Sequence, residues 1–334
     1  MLLSWCKLKI KAGLCLNKCV FIAAGATPDS FRRCSYYIKN MDNSSQLFQY
    51  ILSGLSNGAI YALIGFGFAI IYNATGIINF AQGEFVMLGG MLTLFFLALL
   101  HFSLIPAIVL AILISTVVGI AFERLAIRPL KNAPPLSMVI ITIGASILIR
   151  GIAMLVWGKD TSAVPSFSGN DPLYIAGATI LPQHLWIFAI TLLIIAANKL
   201  FFNYSIVGKA MRACAYNSQA ASLVGINVKT MVLLSFVISS AIGSMAGIII
   251  APLTMTSFDV GVMLGLKGFC AVIIGGMSSG LGTIMGGLLL GLLESLGAGY
   301  ISASYKDAIA FIILLLILFV RPEGLFKQKE TERV

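Results

Sequence analysis

The chain has 334 residues, of which 59% are hydrophobic and 10% charged, and its mean hydropathy is +1.00. Soluble proteins carry about 25% charged residues and about 45–50% apolar ones, so this composition excludes a soluble cytosolic enzyme, a disordered chain and a nucleic-acid-binding domain. The 33 glycines are typical of transmembrane helices that pack closely together. We therefore predict an all-α integral membrane protein folded as one polytopic helix bundle.

Long uncharged stretches define the predicted spans. A helix needs about 20 apolar residues to cross the hydrocarbon core, and the first uncharged stretches predict spans near 48–72, 79–100 and 104–123. Further uncharged stretches occur at Pro134–Ile149, Thr230–Phe258, Gly268–Leu293 and Ala308–Val320. The whole chain is predicted to cross the membrane about eight or nine times.

Lysine and arginine set the predicted orientation, because they accumulate in cytoplasmic loops. Basic residues cluster at Arg124–Lys131, at Lys199–Lys229 and after Arg321, and we assign these segments to the cytoplasm. The loop Gly158–His184 holds a single lysine, Lys159, and is assigned to the outside. The bundle is therefore expected to start outside and to end with a cytoplasmic C-terminus.

A broken helix is predicted in the last third of the chain. Lys229 and Arg321 are both assigned to the cytoplasm, so an even number of crossings separates them, yet only three apolar stretches lie between them. Glycine supplies 12 of the 39 residues from Gly261 to Gly299, which predicts a broken, glycine-rich helix region there. Broken helices often border binding sites in transporters, so Gly275 and Gly276 are candidates for the substrate pathway.

The first forty residues do not fit the predicted orientation. They contain seven lysines and arginines but only one acidic residue, Asp29. The topology would place this positive charge on the outer face, against the positive-inside rule. We interpret residues 1–40 as an over-extended start, with Met41 as the initiator, or alternatively as a signal-like segment. The transmembrane domain then covers residues 41–334.

A polar run between two predicted spans is the main candidate for the substrate pathway. Its candidate residues are Asn79, Gln82, Gly83 and Glu84. The spacing of Asn79 and Gly83 favours one helix face, and an ionisable residue within a membrane span is costly enough to suggest a function. Two interpretations stay open. These residues line or gate the substrate path, or they form a tight cytoplasmic turn with Glu84 at a helix N-terminus.

Other charged residues of the predicted spans are weaker candidates, namely Arg150, Lys267 and Glu294. Arg150 and Lys267 can extend their charged ends to a membrane interface, and Glu294 lies near the outer end of its span. The sequence offers no residue set suited to covalent catalysis, no metal-ligand cluster and no phosphate-binding loop. We therefore predict neither an enzyme nor a chain that binds a cofactor.

The longest cytoplasmic loop, residues 205–229, has the features of a docking element. It is predicted to form a short helix over Ala213–Val224 that Gly225 ends. Small side chains on this helix are expected to be exposed, so that it can enter a groove of another protein; the alternative is an ordinary amphipathic loop. The candidate docking residues are Arg212, Ala213, Ala220, Ala221, Ser222 and Gly225.

Several segments resemble the permease subunits of ATP-binding-cassette importers for branched-chain amino acids, in particular the smaller permease of that family's heterodimer. They are INFAQGE at 78–84, ERLAIRPLK at 123–131, RACA…AASLVGIN at 212–227, VIIGGMSSGLGTIMGGLLLG at 272–291 and VRPEGLF at 320–326. The resemblance covers residues 41–334 and leaves out residues 1–40. It identifies residues 41–334 as a permease domain.

The resemblance implies a multi-pass subunit of a bacterial inner membrane that pairs with a second homologous permease. It also implies a coupling helix docked on one of two cytoplasmic ATPase subunits, which use ATP-Mg, and a periplasmic or lipid-anchored binding protein that delivers leucine, isoleucine or valine. Coupling loops of this family often carry an acidic residue after the RACA-type stretch, where this chain has Tyr216 and Asn217. The alternatives are a urea or short-amide permease of the same family and, from a different class, an ion-driven secondary transporter.

Overall fold

The computed structural model describes residues 43–130, 134–169, 171–175, 178–277, 279–321 and 324–326. The over-extended or signal-like start inferred for residues 1–40 lies outside these residues and stays a prediction. Residues 49–334 form one compact unit, and the side-chain contacts described below lie within it.

Eleven α-helices dominate the described residues and confirm the all-α class. In chain order they are α1 (Asn43–Thr75), α2 (Gln82–Ala98), α3 (Leu104–Phe122), α4 (Pro135–Trp157), α5 (Pro182–Tyr204), α6 (Ile206–Tyr216), α7 (Ser218–Leu223), α8 (Val228–Ile250), α9 (Val260–Gly275), α10 (Gly280–Tyr300) and α11 (Lys306–Val320). Proline opens α4 and α5, where its fixed φ suits the first turn and its missing N–H is not needed. A π-helical turn and a 3-10 turn, Glu123–Ile127 and Arg128–Leu130, extend α3.

A small antiparallel hairpin lies in the loop between α4 and α5. Strand β1 (Leu173–Ile175) pairs with β2 (Ala178–Ile180). The Gln49 side chain at the start of α1 donates to the Thr179 carbonyl at 3.0 Å and accepts from the Thr179 N–H at 2.8 Å. We call this side of the bundle the hairpin end.

The apolar helices run antiparallel between two ends. At the hairpin end, the Gln183 side chain at the start of α5 donates to the Ile249 carbonyl at the end of α8, over 2.8 Å. At the opposite end, the Leu325 N–H after α11 donates to the Ile274 carbonyl at the end of α9, over 2.9 Å. The start of the bundle and its last described residues therefore lie at opposite ends.

The number of long spans is lower than predicted. Within the residues that the structure describes, seven helices are long and apolar enough to cross a membrane, whereas eight or nine spans were expected. Two further apolar helices, α2 and α9, have only 17 and 16 residues, because the residues that precede each of them, 76–81 and 251–259, are not helical. Hydropathy counts such residues as part of a span whether or not they form a helix.

The predicted break in the glycine-rich region separates α9 from α10. Helix α9 ends at Gly275, and Gly276 follows with a φ of +98°, a conformation that glycine adopts without strain. Helix α10 begins at Gly280, where the Ser279 hydroxyl accepts from the Gly282 N–H at 3.0 Å, as a helix N-cap does. Four helices, α8 to α11, thus fill the region in which an even number of crossings was expected.

Glycines let the central helices touch through their backbones. A Cβ atom placed on Gly247 of α8 would lie 1.8 Å from the Val86 carbonyl oxygen of α2, and one on Gly89 of α2 would lie 2.1 Å from the Ser244 oxygen. A Cβ atom placed on Gly291 of α10 would likewise lie 2.3 Å from the backbone nitrogen of Gly58 in α1. Such contacts maximise van der Waals attraction, the main force between helices in lipid.

We expect Gly247→Ala to destabilise the protein by about 1–3 kcal/mol, because the added methyl group cannot fit against the α2 backbone. Gly144→Ala is the matched control, since a Cβ at Gly144 in α4 meets nothing within 4 Å and alanine is the better helix former. The unfolding midpoints of both purified variants are measured by thermal unfolding in detergent micelles. Equal midpoints for the two variants would contradict close packing at Gly247.

Candidate functional site

Helix α2 begins in the middle of the bundle. Gln82, its first residue, hydrogen bonds to Ser239, the middle residue of α8. Glu84 accepts from Ser146, the middle residue of α4, at 2.7 Å. The non-helical residues 76–81 carry the chain from the end of α1 back to this level. We call residues 76–84 the polar entry of α2.

Three polar side chains of the polar entry are buried. Asn79, Gln82 and Glu84 are 2%, 0% and 1% exposed. The Gln82 amide donates to the Ser239 carbonyl at 3.2 Å, and its oxygen lies 2.7 Å from the Ser239 hydroxyl, which is also 2.8 Å from the Gly67 carbonyl. A buried polar group needs such partners, and here they hold α2 against both α1 and α8.

Two buried polar atoms of the entry have no partner among the described residues, namely Asn79 Nδ2 and Glu84 Oε2. The Asn79 oxygen is used, because it accepts from the Ala81 N–H at 3.1 Å. A buried donor or acceptor without a partner costs about 1–3 kcal/mol. Each of these two atoms therefore keeps an unused capacity for a hydrogen bond.

The four predicted residues of this run lie at the start of α2. Glu84 does lie in the first turn of a helix, but this turn is in the bundle interior and not at a cytoplasmic surface. Asn79 precedes the helix, so it does not share a helix face with Gly83, contrary to the spacing argument. Gly83 is required for space, since a Cβ there would lie 2.1 Å from the Gly261 carbonyl oxygen.

Gly275 and Gly276 are not part of this entry. The nearest neighbours of a Cβ on Gly275 are backbone atoms of Gly282 and Thr283 in α10, and the backbone of Gly276 is approached by Gly324. Both glycines thus serve the close turn between α9 and α10. Their role in the substrate pathway stays a prediction.

A group of four charged residues that the sequence analysis did not connect lies between α9, α10 and α11. Lys267 Nζ is 2.9 Å from Glu294 Oε1 and 2.6 Å from Asp307 Oδ1, and Lys306 Nζ is 3.1 Å from the same Glu294 oxygen. The Tyr61 hydroxyl of α1 donates a hydrogen bond to Glu294 Oε1 at 3.2 Å. We call Lys267, Glu294, Lys306 and Asp307 the four-charge cluster.

The four-charge cluster is electrically neutral and partly buried. The Lys267 and Glu294 side chains are 7% and 1% exposed, whereas Lys306 and Asp307 are 38% and 51% exposed. The expectation that Lys267 extends its charge to an interface is therefore wrong, because its ammonium is paired inside the bundle. Opposite charges in otherwise uncharged stretches are the signal that could have predicted this pairing.

We expect Lys267→Met to destabilise the protein by about 3–5 kcal/mol, because it removes the buried partner of Glu294. Lys306→Met is the control and should cost less, since the Lys306 side chain is far more exposed. The double variant Lys267→Met/Glu294→Leu should recover part of the loss. Chemical unfolding in micelles measures these differences, and equal losses for the two lysines would argue against a buried pair.

The predicted docking element forms two helices instead of one. Asn217 separates α6 from α7 and caps α7, because its side-chain oxygen accepts from the Ala220 N–H at 2.9 Å. An asparagine at this position favours a helix start, so the predicted helix over 213–224 is interrupted there. Gly225 ends the element as predicted, with a φ of +89° and open space around it.

The exposure of the docking element differs from the expectation at one candidate residue. Ala221 is buried within the chain itself, at 5% exposure, although Ala220 and Ser222 are exposed as predicted. The strongly exposed side chains are Leu223 and Val224, at 89% and 82%. We call these two residues the apolar tip. The sequence analysis named only small residues of this helix as exposed and did not single out these two.

Arg212 and Ala213 occupy the exposed face of α6. The Arg212 guanidinium donates to the Phe202 carbonyl in the last turns of α5, a favourable position for a cation. On the inner face, Cys214 is buried, and this burial raises the pKa of its thiol. The element is thus fixed to α5 by its own contacts.

The described residues contain no group of three or more His, Cys, Asp or Glu side chains that could hold a metal ion. The polar entry offers one carboxylate and two amides, which suit hydrogen bonding to a small polar molecule better than metal coordination.

The chain is similar to known transport proteins over most of its length. The family described as "Branched-chain amino acid transport system / permease component" matches residues 50–318. The branched-chain amino acid transport permease LivH of Escherichia coli (strain K12) is 35% identical over 301 residues, which cover 86% of this chain and 97% of that protein.

Two other relatives extend this similarity. The corresponding permease BraD of Pseudomonas aeruginosa is 33% identical over 299 residues, 86% of this chain and 97% of that protein. A probable LivH of Methanocaldococcus jannaschii is 26% identical over 285 residues, 80% of this chain and 88% of that protein. The extent of the family match and the identities above 30% confirm the resemblance: this chain belongs to the branched-chain amino acid transport permease family.

Proposed function

We propose that this chain is a permease subunit of an ATP-binding-cassette importer that carries leucine, isoleucine and valine across a bacterial inner membrane. A second homologous permease, two cytoplasmic ATPases that use ATP-Mg and a periplasmic or lipid-anchored binding protein complete the transporter. The names of the relatives support the substrate class. The C-terminus is cytoplasmic in this proposal, together with α6 and α7.

The observation that carries the proposal is the buried helix start at the centre of the bundle. A helix N-terminus carries about half a positive charge, and transporters place such interrupted helices beside their substrate. Here Gln82, Gly83 and Glu84 form the first turn of α2 and Asn79 precedes it. These four residues form part of the substrate pathway.

We expect Glu84→Ala and Asn79→Leu each to reduce leucine uptake about tenfold or more, since each removes a buried polar atom that is free to bind substrate. Thr93→Val is the matched control in the same helix, because Thr93 bonds only to its own helix carbonyl at Gly89. Uptake in cells is compared at equal membrane abundance. Unchanged uptake in both variants would exclude the polar entry from the pathway.

The ATPase docks on the end of α7 in this proposal. The apolar tip exposes two large aliphatic side chains, and burying each in a groove would contribute about 1.5–3 kcal/mol. Ala220 and Ser222 are small neighbours that leave the tip accessible. A charge at Ala221, by contrast, would disturb the fold of the element itself and would not test docking.

We expect Leu223→Asp to abolish uptake and to prevent co-purification of the ATPase, while the permease stays in the membrane. Leu173→Asp is the control, since Leu173 is an exposed leucine in β1 at the opposite end. Gly225→Val should have the same effect as Leu223→Asp, because valine does not tolerate a φ of +89°. Normal ATPase co-purification with Leu223→Asp would place docking elsewhere.

A further inference from the structure

A cavity of about 210 Å³ lies beside the polar entry, between α1, α4 and α9. It is open on one side, where two of its lining side chains, Ile143 and Ile147, are 42% and 55% exposed. It has room for about seven water molecules at liquid density, which is the scale of a small metabolite. Most of its wall is apolar, with Phe68, Phe80, Ile143 and Ile147 among the lining side chains. Its polar lining side chains are those of Ser146 and Arg150.

Arg150 is a half-buried cation that interacts electrostatically with Glu84 but forms no direct ion pair with it. It lies seven residues, about 10 Å, before the end of α4 at Trp157. Within the part of the chain that the structure describes, its guanidinium makes no hydrogen bond and no ion pair. A charge at this depth is normally paired, and a guanidinium binds a carboxylate with two parallel hydrogen bonds. Arg150 is therefore suited to an anionic group of a ligand.

Ser146 lies one helical turn from Arg150 on the same face of α4, at a separation of about 5–6 Å between Cβ atoms. Its hydroxyl proton points to Glu84 Oε1, at 2.7 Å, so its lone pairs stay free to accept a hydrogen bond. Behind it, Glu84 Oε2 is buried without a partner. This pair of residues is suited to an ammonium group.

We propose that this cavity binds a zwitterionic α-amino acid with an aliphatic side chain. Arg150 binds the carboxylate, the Ser146 hydroxyl backed by the Glu84 charge binds the ammonium, and the side chain contacts Phe68, Phe80 and the two isoleucines. The spacing fits, because both charged groups of an amino acid are attached to one carbon atom. The inference rests on the proposed function and adds that the permease itself recognises the amino acid.

The test measures binding of radiolabelled L-leucine to the purified transporter, with its ATPases but without the binding protein. We expect L-leucine to bind and urea and 3-methylbutylamine, which lack a carboxylate, not to compete. Arg150→Met should weaken binding about tenfold or more, and Arg150→Lys should restore part of it. Arg128→Met is the control, because it removes an exposed arginine outside the cavity.

Two outcomes would overturn the inference while leaving the proposed function intact. In the first, the wild-type transporter does not bind leucine in the absence of its binding protein. In the second, the wild type and Arg150→Met bind leucine equally well. In both cases leucine uptake by the complete wild-type transporter in proteoliposomes is measured alongside. Absence of that uptake would overturn the proposed function as well, so the two failures are distinguishable.

Discussion

Close backbone contact between helices is the constraint on which the structure depends. Lipid tails are as apolar as leucine, so burying one apolar helix against another gains little in a membrane. Helices α2, α8, α9 and α10 instead approach each other at glycines whose missing side chains leave room for a neighbouring carbonyl. Helix α2 is consequently buried from Gln82 to Thr93, although it is one of the shortest apolar helices.

This close packing also explains how polar side chains are accommodated at the centre of the bundle. Gln82 lies directly against the Cβ position of Gly67 and near Gly243, so two glycines make the space in which its amide reaches Ser239. The four-charge cluster is arranged differently, because two of its members are partly exposed and the charges balance. Among the described residues, both sites keep buried atoms without a partner, namely Glu294 Oε2 in the cluster and Asn79 Nδ2 and Glu84 Oε2 in the polar entry. The difference is that the cluster balances its charges, whereas the polar entry holds one carboxylate.

Much of the fold could be predicted from the sequence, because uncharged runs and glycine report directly on membrane spans and breaks. The first three helices, the interruption after Gly275 and the stop at Gly225 all follow from residue types alone. The predicted gap between the first two spans covers residues 76–78 of the non-helical segment. The position of Gln82 in the bundle interior could not be predicted, since it depends on the tertiary contact with Ser239 of α8. The same holds for the inward position of Ala221, which depends on how α7 packs.

The site was predicted only in part for a similar reason. Polar residues at 79–84 are visible in the sequence, but their depth in the bundle is set by Ser146 and Ser239, which are ordinary serines in apolar helices. The pairing of Lys267 with Glu294 joins residues 27 positions apart on two different helices. The charge pattern of the sequence identifies such charged residues within apolar stretches, but it does not predict which of them form ion pairs.

The continuity of α8 has a mechanical consequence. Only residues 224–227 separate α7 from α8, and α8 then runs unbroken for about 16 Å to Ser239. An intact helix is stiff along its axis, so a displacement of the α7 end of α8 is transmitted to Ser239, which contacts the Gln82 amide. A slide of about 1–2 Å, typical of helix shifts in switching proteins, would bring both Gln82–Ser239 hydrogen bonds out of range. The range of lengths that these two hydrogen bonds tolerate therefore limits how far α8 can move before the start of α2 has to move with it.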